Sequence, residues 1–196
     1  MPLYRREQLV PDAPTLFLLH GWGSDADDLF SMAAPLGLPY SVVALQGPDR
    51  HPNGSGWSWF EIGWDAHRVS LYTPGARERA DELVRTFEEY PRPWTVLGFS
   101  QGAMMAGLLL AEHPESVDVA VLIAGMLLPG VDVAEGSRRR ALVTHGRADE
   151  VVPFAAGEAM ASALGARHDV QFVPDGGGHG VSMAQLLAIQ GFLARQ

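Results

Sequence analysis

The sequence contains no cysteine and no lysine. Without a thiol there is no thiolate nucleophile, no thiolate-bound zinc, no iron–sulfur cluster and no disulfide. All 14 basic residues are arginine, so a Schiff-base lysine and any phosphate loop ending in Gly-Lys-Ser/Thr are excluded. Positive charge is also scarce: 23 Asp and Glu give a formal net charge of −9. That balance argues against nucleic acid as a partner, because non-specific affinity for it comes from neutralising phosphates. No apolar run approaches the roughly 18 residues of a membrane span. Met1–Val10 carries Arg5, Arg6 and Glu7 where a secretory leader would be apolar. A soluble, cytoplasmic protein is expected. There is no H-E-x-x-H and no tight grouping of His with carboxylates, so no metal site is expected. Internal repeats and low-complexity tracts are missing too.

What is present is a core. At 196 residues and 47% hydrophobic, the chain has the size of a single domain, 1–196, that buries roughly 70% of its unfolded surface. Short runs rich in Val, Leu, Ile and Phe recur at Thr15–Leu19, Ser41–Leu45, Trp94–Phe99, Asp118–Ile123, Ala141–Thr144 and Val170–Val173. They read as strands buried on both faces. Helical patterns lie between them. Pro74–Glu89 places Ala80, Leu83, Val84 and Phe87 on one stripe, with Thr73 as cap and Pro74 in the first turn. Gly102–His113 is apolar on nearly all sides and stops at Pro114, as a buried helix should. Alternating strands and helices predict an α/β fold with a mostly parallel sheet, helices on both faces and functional loops at the strands' carboxyl ends. Gln46–Gly56 and Pro174–Gly180 read as loops of this one unit, too short to be linkers. The basic trio Arg138–Arg140 reads as a solvated sheet entrance rather than an anion site.

Gly98-Phe99-Ser100-Gln101-Gly102 fits G-x-S-x-G. With 22 Gly and 11 Ser in the chain, such a pentapeptide arises by chance in about one chain in seven of this composition. Its context is more specific: it follows a strand and opens the buried helix, where a nucleophile elbow must lie. The amino end of that helix directs N–H groups and partial positive charge at the place where an oxyanion would form. A serine needs a base, and the base needs an orienting acid. In the order Ser, Asp, His these are Asp149, just after Ala141–Thr144, and His179, just after Val170–Val173. Glu150 and Asp175 are rivals for the acid, with Asp175 better suited to capping its own loop. Of the remaining histidines, His51, His67, His113 and His168 read as surface residues, and His20 and His145 as structural groups bonded to loop backbone.

His20-Gly21-Trp22-Gly23 ends the first buried strand, and Ser24 with Asp25, Asp27 and Asp28 reads as a helix cap with an acidic first turn. Trp22 N–H is a candidate second oxyanion donor beside Gln101 N–H. Gly21-x-Gly23-x-x-Ala26 also matches a dinucleotide fingerprint, but Gln46 and Gly47 stand where that site needs an acid. Trp57, Trp59, Phe60 and Trp64 crowd together after the Gly/Pro loop. Packing accounts for most of them. Trp59 and Phe60 are candidates to wall an apolar substrate pocket, opposite Met126, Leu127 and Leu128.

Taken together, Leu19–Gly23 with Asp28-Leu29, Trp59–Ile62, Gly98–Ala103, His145-Gly146 with Asp149 and Val152-Pro153, and Gly177–His179 make the chain resemble the small phospholipase/carboxylesterase family of the α/β-hydrolase fold. That family includes cap-less carboxylesterases and acyl-protein thioesterases. The resemblance runs over nearly the whole chain and implies Ser100 as nucleophile, Asp149 and His179 as its partners, and the Trp22 and Gln101 amides as oxyanion donors. The expected function is a serine carboxylesterase acting on a small-molecule ester with no cofactor, as a monomer or homodimer. The loop Ser24–Asp28 lacks the family's usual glycines, and Trp57–Trp64 is unusually aromatic, which bears on the substrate rather than on the triad. A non-catalytic ligand-binding protein on the same fold is the alternative.

Overall fold

The computed structural model describes residues 3–65, 68–70 and 75–195. The chain opens with an edge strand, β1 (Arg5–Gln8), followed by β2 (Thr15–Leu19), helix α1 (Ala26–Leu36) and β3 (Ser41–Leu45). Four short strands come next: β4 (Asp49–Arg50), β5 (Trp57–Ser58), β6 (Gly63–Asp65) and β7 (Arg68–Ser70). The remainder alternates through α2 (Ala76–Phe87), β8 (Trp94–Phe99), α3 (Gln101–Glu112), β9 (Val119–Ile123), β10 (Arg140–Gly146), α4 (Phe154–Gly165), β11 (Asp169–Asp175) and α5 (Met183–Leu193). The main sheet has the order β1-β3-β2-β8-β9-β10-β11. Every pairing in it is parallel except β1 with β3.

The apolar runs became strands because they are covered on both sides. One cluster of core residues includes Phe17, Val96, Leu122 and Val143 with α2, α3 and α4; the other includes Leu16, Leu97, Val121 and Leu142 with α1 and α5. Alternate residues of the same strands thus feed opposite cores, which explains the near-continuous apolar sequence. β9 begins at Val119 rather than Asp118, whose carboxylate accepts the Trp94 N–H (2.8 Å) and pairs with Arg92 (3.0 Å). At the amino-terminal edge of the sheet the basic trio is neutralised locally. Arg138 pairs with Asp169 (2.7 Å), Arg139 with Glu115 (2.8 Å), and Arg140 donates to Phe192 O at the end of α5 (3.2 Å).

Several expectations shift. α1 is capped by Asp25, which accepts the Asp27 N–H (2.9 Å), while the Ser24 hydroxyl donates to Asp28. α2 starts at Ala76 after Gly75; Thr73, Pro74 and His67 lie outside the described residues. His168 is not a surface residue: it is 2% exposed, packed where β11 begins, with Nδ1 facing the Arg139 N–H. Burial holds its imidazole below the ordinary histidine range, since desolvation disfavours the cation.

Candidate active site

The strand order reverses between β2 and β8, with β3 beyond one and β9 beyond the other. In open parallel sheets the crevice for a ligand lies at the carboxyl ends of strands at such a point. Ser100 stands there, between β8 and α3, with φ 53° and ψ −114°. This is a strained conformation for a residue with a side chain, at a cost of roughly 1–3 kcal/mol. Close packing around it explains the flanking glycines. A Cβ on Gly98 would lie 2.2 Å from Gly102 O, and one on Gly102 would lie 1.9 Å from Leu19 O. The Ser100 N–H donates to Ile123 O (2.8 Å), tying the turn to β9.

Asp149 and His179 arrive from the two neighbouring strands beyond β9. Their loops are laced together: Arg147 N–H donates to Asp175 O (2.8 Å) and Ala148 N–H to Gly177 O (2.9 Å). The outcome is a continuous hydrogen-bonded chain. His179 Nε2 lies 3.0 Å from Ser100 Oγ, and His179 Nδ1 lies 2.8 Å from Asp149 Oδ2. Asp149 Oδ1 accepts the N–H groups of Val151 (2.9 Å) and Val152 (2.8 Å). The carboxylate is fully buried and the imidazole 18% exposed, so the far end of the chain is dry and the near end open. The Phe99 ring flanks His179 at 5.1 Å. Asp175 serves its own loop, accepting from Gly177 N–H (3.0 Å) and from the Ser182 hydroxyl. Glu150 is exposed.

The loop after β2 runs beside the elbow: a Cβ on Gly21 would come within 3.4 Å of Ser100 Cβ. Trp22 lies in this loop, its ring against that of His51 (4.1 Å). Gln101 contributes the first N–H of α3. Its side chain does something that sequence reasoning missed. Wholly buried, it accepts the Trp59 N–H on Oε1 (3.0 Å) and donates through Nε2 to Phe60 O (2.7 Å). The Trp59 indole N–H donates to His20 O (2.9 Å), and His20 Nε2 accepts the Gly47 N–H (2.9 Å) while Nδ1 faces Gly21 O (2.7 Å). His20 is thus neutral, with its proton on Nδ1, and burial depresses its basicity. The only signal in the sequence was a polar residue at the start of an otherwise apolar helix, which must find partners.

Trp59 and Phe60 do not line a pocket. They are 0% and 1% exposed and belong to the core; they brace the site from beneath because Gln101 and His20 hold them there. Met126 and Leu127 do border an apolar cavity of about 270 Å³, closed on the other side by Ala156, Met160 and Ala163 of α4. A larger cavity of about 520 Å³ lies at the amino-terminal edge of the sheet, among Arg138, Arg140 and Arg195, away from the Ser100 constellation. Among the described residues no group of three or more His, Asp or Glu is placed to hold a metal, and no helix is long and apolar enough to cross a membrane.

Comparison with known proteins identifies the family and agrees with the fold. Residues 6–196 match the model of the family described as Phospholipase/Carboxylesterase. The structure is similar to the Bacillus cereus carboxylesterase, at 22% identity over 98% of this chain and 94% of that one, with a TM-score of 0.87. It is similar to esterase PE8, at 25% identity over 99% and 98% of the two chains and a TM-score of 0.84. Acyl-protein thioesterase 2 of Zea mays aligns at 19% identity over 98% of each chain, with a TM-score of 0.77. The fold is that of the α/β-hydrolases. The chain belongs to the phospholipase/carboxylesterase family, whose hydrolases are of the carboxylesterase and thioesterase type.

Proposed function

We propose that this protein is a serine carboxylesterase, a single cytoplasmic domain acting without a cofactor on small esters through an acyl-enzyme. Ser100 Oγ attacks the carbonyl carbon as His179 Nε2 takes its proton, and Asp149 Oδ2 holds the Nδ1–H and stabilises the imidazolium. The Gln101 and Trp22 N–H groups receive the oxyanion. Collapse of the tetrahedral intermediate sends the His179 proton to the leaving alcohol, leaving the acyl group on Ser100. Water then enters, gives its proton to His179 and attacks the acyl carbon, and the acid departs as the proton returns to Ser100. The observation that carries this reading is the uninterrupted chain from Ser100 Oγ (3.0 Å) through His179 to Asp149 Oδ2 (2.8 Å). Short to medium apolar acyl groups suit the cavity beside Met126 and Leu127. Thioesters are candidates by likeness to the maize thioesterase.

Hydrolysis of p-nitrophenyl esters of graded chain length tests the proposal. Ser100→Ala should lower kcat by about 10⁴- to 10⁶-fold with the fold intact. Asp149→Asn should lower it by up to about 10⁴-fold by favouring the wrong imidazole tautomer. Near wild-type turnover by Ser100→Ala would refute the nucleophile; a Glu150→Gln variant more damaged than Asp149→Asn would refute the acid.

A further inference from the structure

The carboxylate at the end of the Ser100 chain has a second imidazole beside it. His145 lies near the end of β10, and its side chain and that of Asp149 are both fully buried. His145 Nε2 stands 2.8 Å from Val152 O and 3.3 Å from Asp149 Oδ2, the oxygen that also faces His179. Val152 O can only accept, so Nε2 carries the hydrogen, with the Asp149 oxygen close beside it. The other nitrogen gives the matching answer. Nδ1 is buried without a hydrogen-bond partner among the described residues, and the backbone of α4 presses on it, so that a Cβ on Gly157 would lie 2.3 Å away. A proton on Nδ1 would find no acceptor there. The ring is therefore fixed as a neutral donor aimed at the acid loop.

We propose that His145 is a positioning residue for the reaction. Its Nε2–H donates to Val152 O (2.8 Å), pinning the loop whose Val152 amide holds Asp149 Oδ1, and the positive edge of the ring lies 3.3 Å from Oδ2, the oxygen presented to His179. Oδ1 has the Val151 and Val152 amides and Oδ2 has His179 Nδ1, so the His145 ring adds its dipole on the side of Oδ2. A carboxylate held by three hydrogen bonds beside this dipole has one orientation, and that orientation selects the His179 tautomer able to take the Ser100 proton. Other ionisable groups nearby are engaged or directed away. On the same loop Glu150 is exposed and Arg147 lies over the Phe154 ring (4.7 Å). On α4, Glu158 is exposed; after β11, Asp175 is bound to Gly177 and Ser182; and α3 has no charged residue before Glu112. His145 is thus the one neutral donor dipole from a ring beside the Asp149–His179 pair among the described residues.

This inference rests on the serine-esterase reading, so the wild-type enzyme is first labelled with a fluorophosphonate probe. The informative pair is then His145→Met, similar in size without a donor, and His145→Gln, whose amide N–H can replace Nε2–H. The Met variant should lose about tenfold in kcat with KM within about twofold, since the residue touches no substrate. Its acid limb of kcat/KM should rise by roughly half to one pH unit, because the anion beside the imidazolium has lost a stabilising dipole. The Gln variant should recover kcat to within about threefold and return the limb. If His145→Met does not fold, Gly157→Ala displaces the ring from the other side, through a substitution that helix propensity favours, and should move the limb likewise. Wild-type kcat with an unmoved limb in these variants would overturn the inference alone. A fall in kcat with an unmoved limb and no rescue by Gln would overturn it as well, reducing His145 to a packing role. Failure of the wild type to label would overturn the inference and the esterase reading together.

Discussion

Replacing Gln101 by Leu removes a side-chain amide while keeping its volume and the backbone N–H proposed to receive the oxyanion. The side chain is 0% exposed and joined to Trp59 N–H at 3.0 Å and to Phe60 O at 2.7 Å. Both backbone groups are buried with their residues, so neither regains water when the amide is lost. An unsatisfied buried group costs about 1–3 kcal/mol, and two of them give a loss of about 2–6 kcal/mol out of a total stability of the order of 5–15 kcal/mol. The effect should extend to turnover, because Trp59 is the link between Gln101 and His20 O (2.9 Å), and His20 begins the loop that carries Trp22. A displacement approaching 1 Å of one oxyanion donor would cost about 10- to 100-fold in kcat. Urea unfolding gives the first number through a shift in midpoint at constant slope, and p-nitrophenyl ester kinetics give the second. A Gln101→Leu variant within about 0.5 kcal/mol of wild type and with unchanged kcat would show that the buried amide holds nothing in place.

Other outcomes follow from the same geometry. Because Ser100 sits at φ 53°, Ser100→Gly should be more stable than Ser100→Ala by about 1 kcal/mol, both being inactive; equal unfolding midpoints would contradict stored strain at the elbow. Gly102→Ala would force a Cβ to 1.9 Å from Leu19 O and should destabilise by more than about 3 kcal/mol, which thermal unfolding would read directly. His20 and His168 are both held below the ordinary histidine range by burial. Above about pH 6.5 neither folded nor unfolded chain protonates them, and stability is full. As pH falls below that point the unfolded chain binds protons first, so stability declines and levels off only beneath the folded-state values. Unfolding free energies at pH 7.5 and 5.5, above the range where most carboxylates titrate, should differ in that direction; a flat or rising trend toward acid would be inconsistent with neutral, buried imidazoles.

How much could be read in the sequence follows from what kind of interaction made each feature. β2, β3 and β8 have the predicted bounds because strands buried on both faces must be apolar throughout. The convergence of Ser100, Asp149 and His179 was legible because chemistry restricts residue type, and a parallel sheet restricts loops to one edge. β1 was invisible for the opposite reason. Arg5–Gln8 is an antiparallel edge strand held by backbone pairing, with polar side chains that guard the open edge, so no apolar run marks it. Aromatic clustering at Trp57–Trp64 could not distinguish a pocket wall from a brace, and burial of Trp59 and Phe60 decided for the brace. His168 looked like a surface residue because its burial comes from long-range packing, which leaves no local pattern. The His145–Asp149 proximity was equally silent: at a separation of four residues across a turn, only the loop's fold brings Nε2 to 3.3 Å from the carboxylate.

Whether Ser100 is an activated nucleophile is read by mass mapping of the adduct formed with a fluorophosphonate. With no lysine or cysteine in the chain, the strongest competing nucleophiles are absent. One equivalent of label is expected on the peptide containing Ser100, none in Ser100→Ala, and much slower labelling in His179→Gln. Stoichiometric label on another residue, or an unlabelled wild-type protein that still hydrolyses esters, would contradict that role for Ser100.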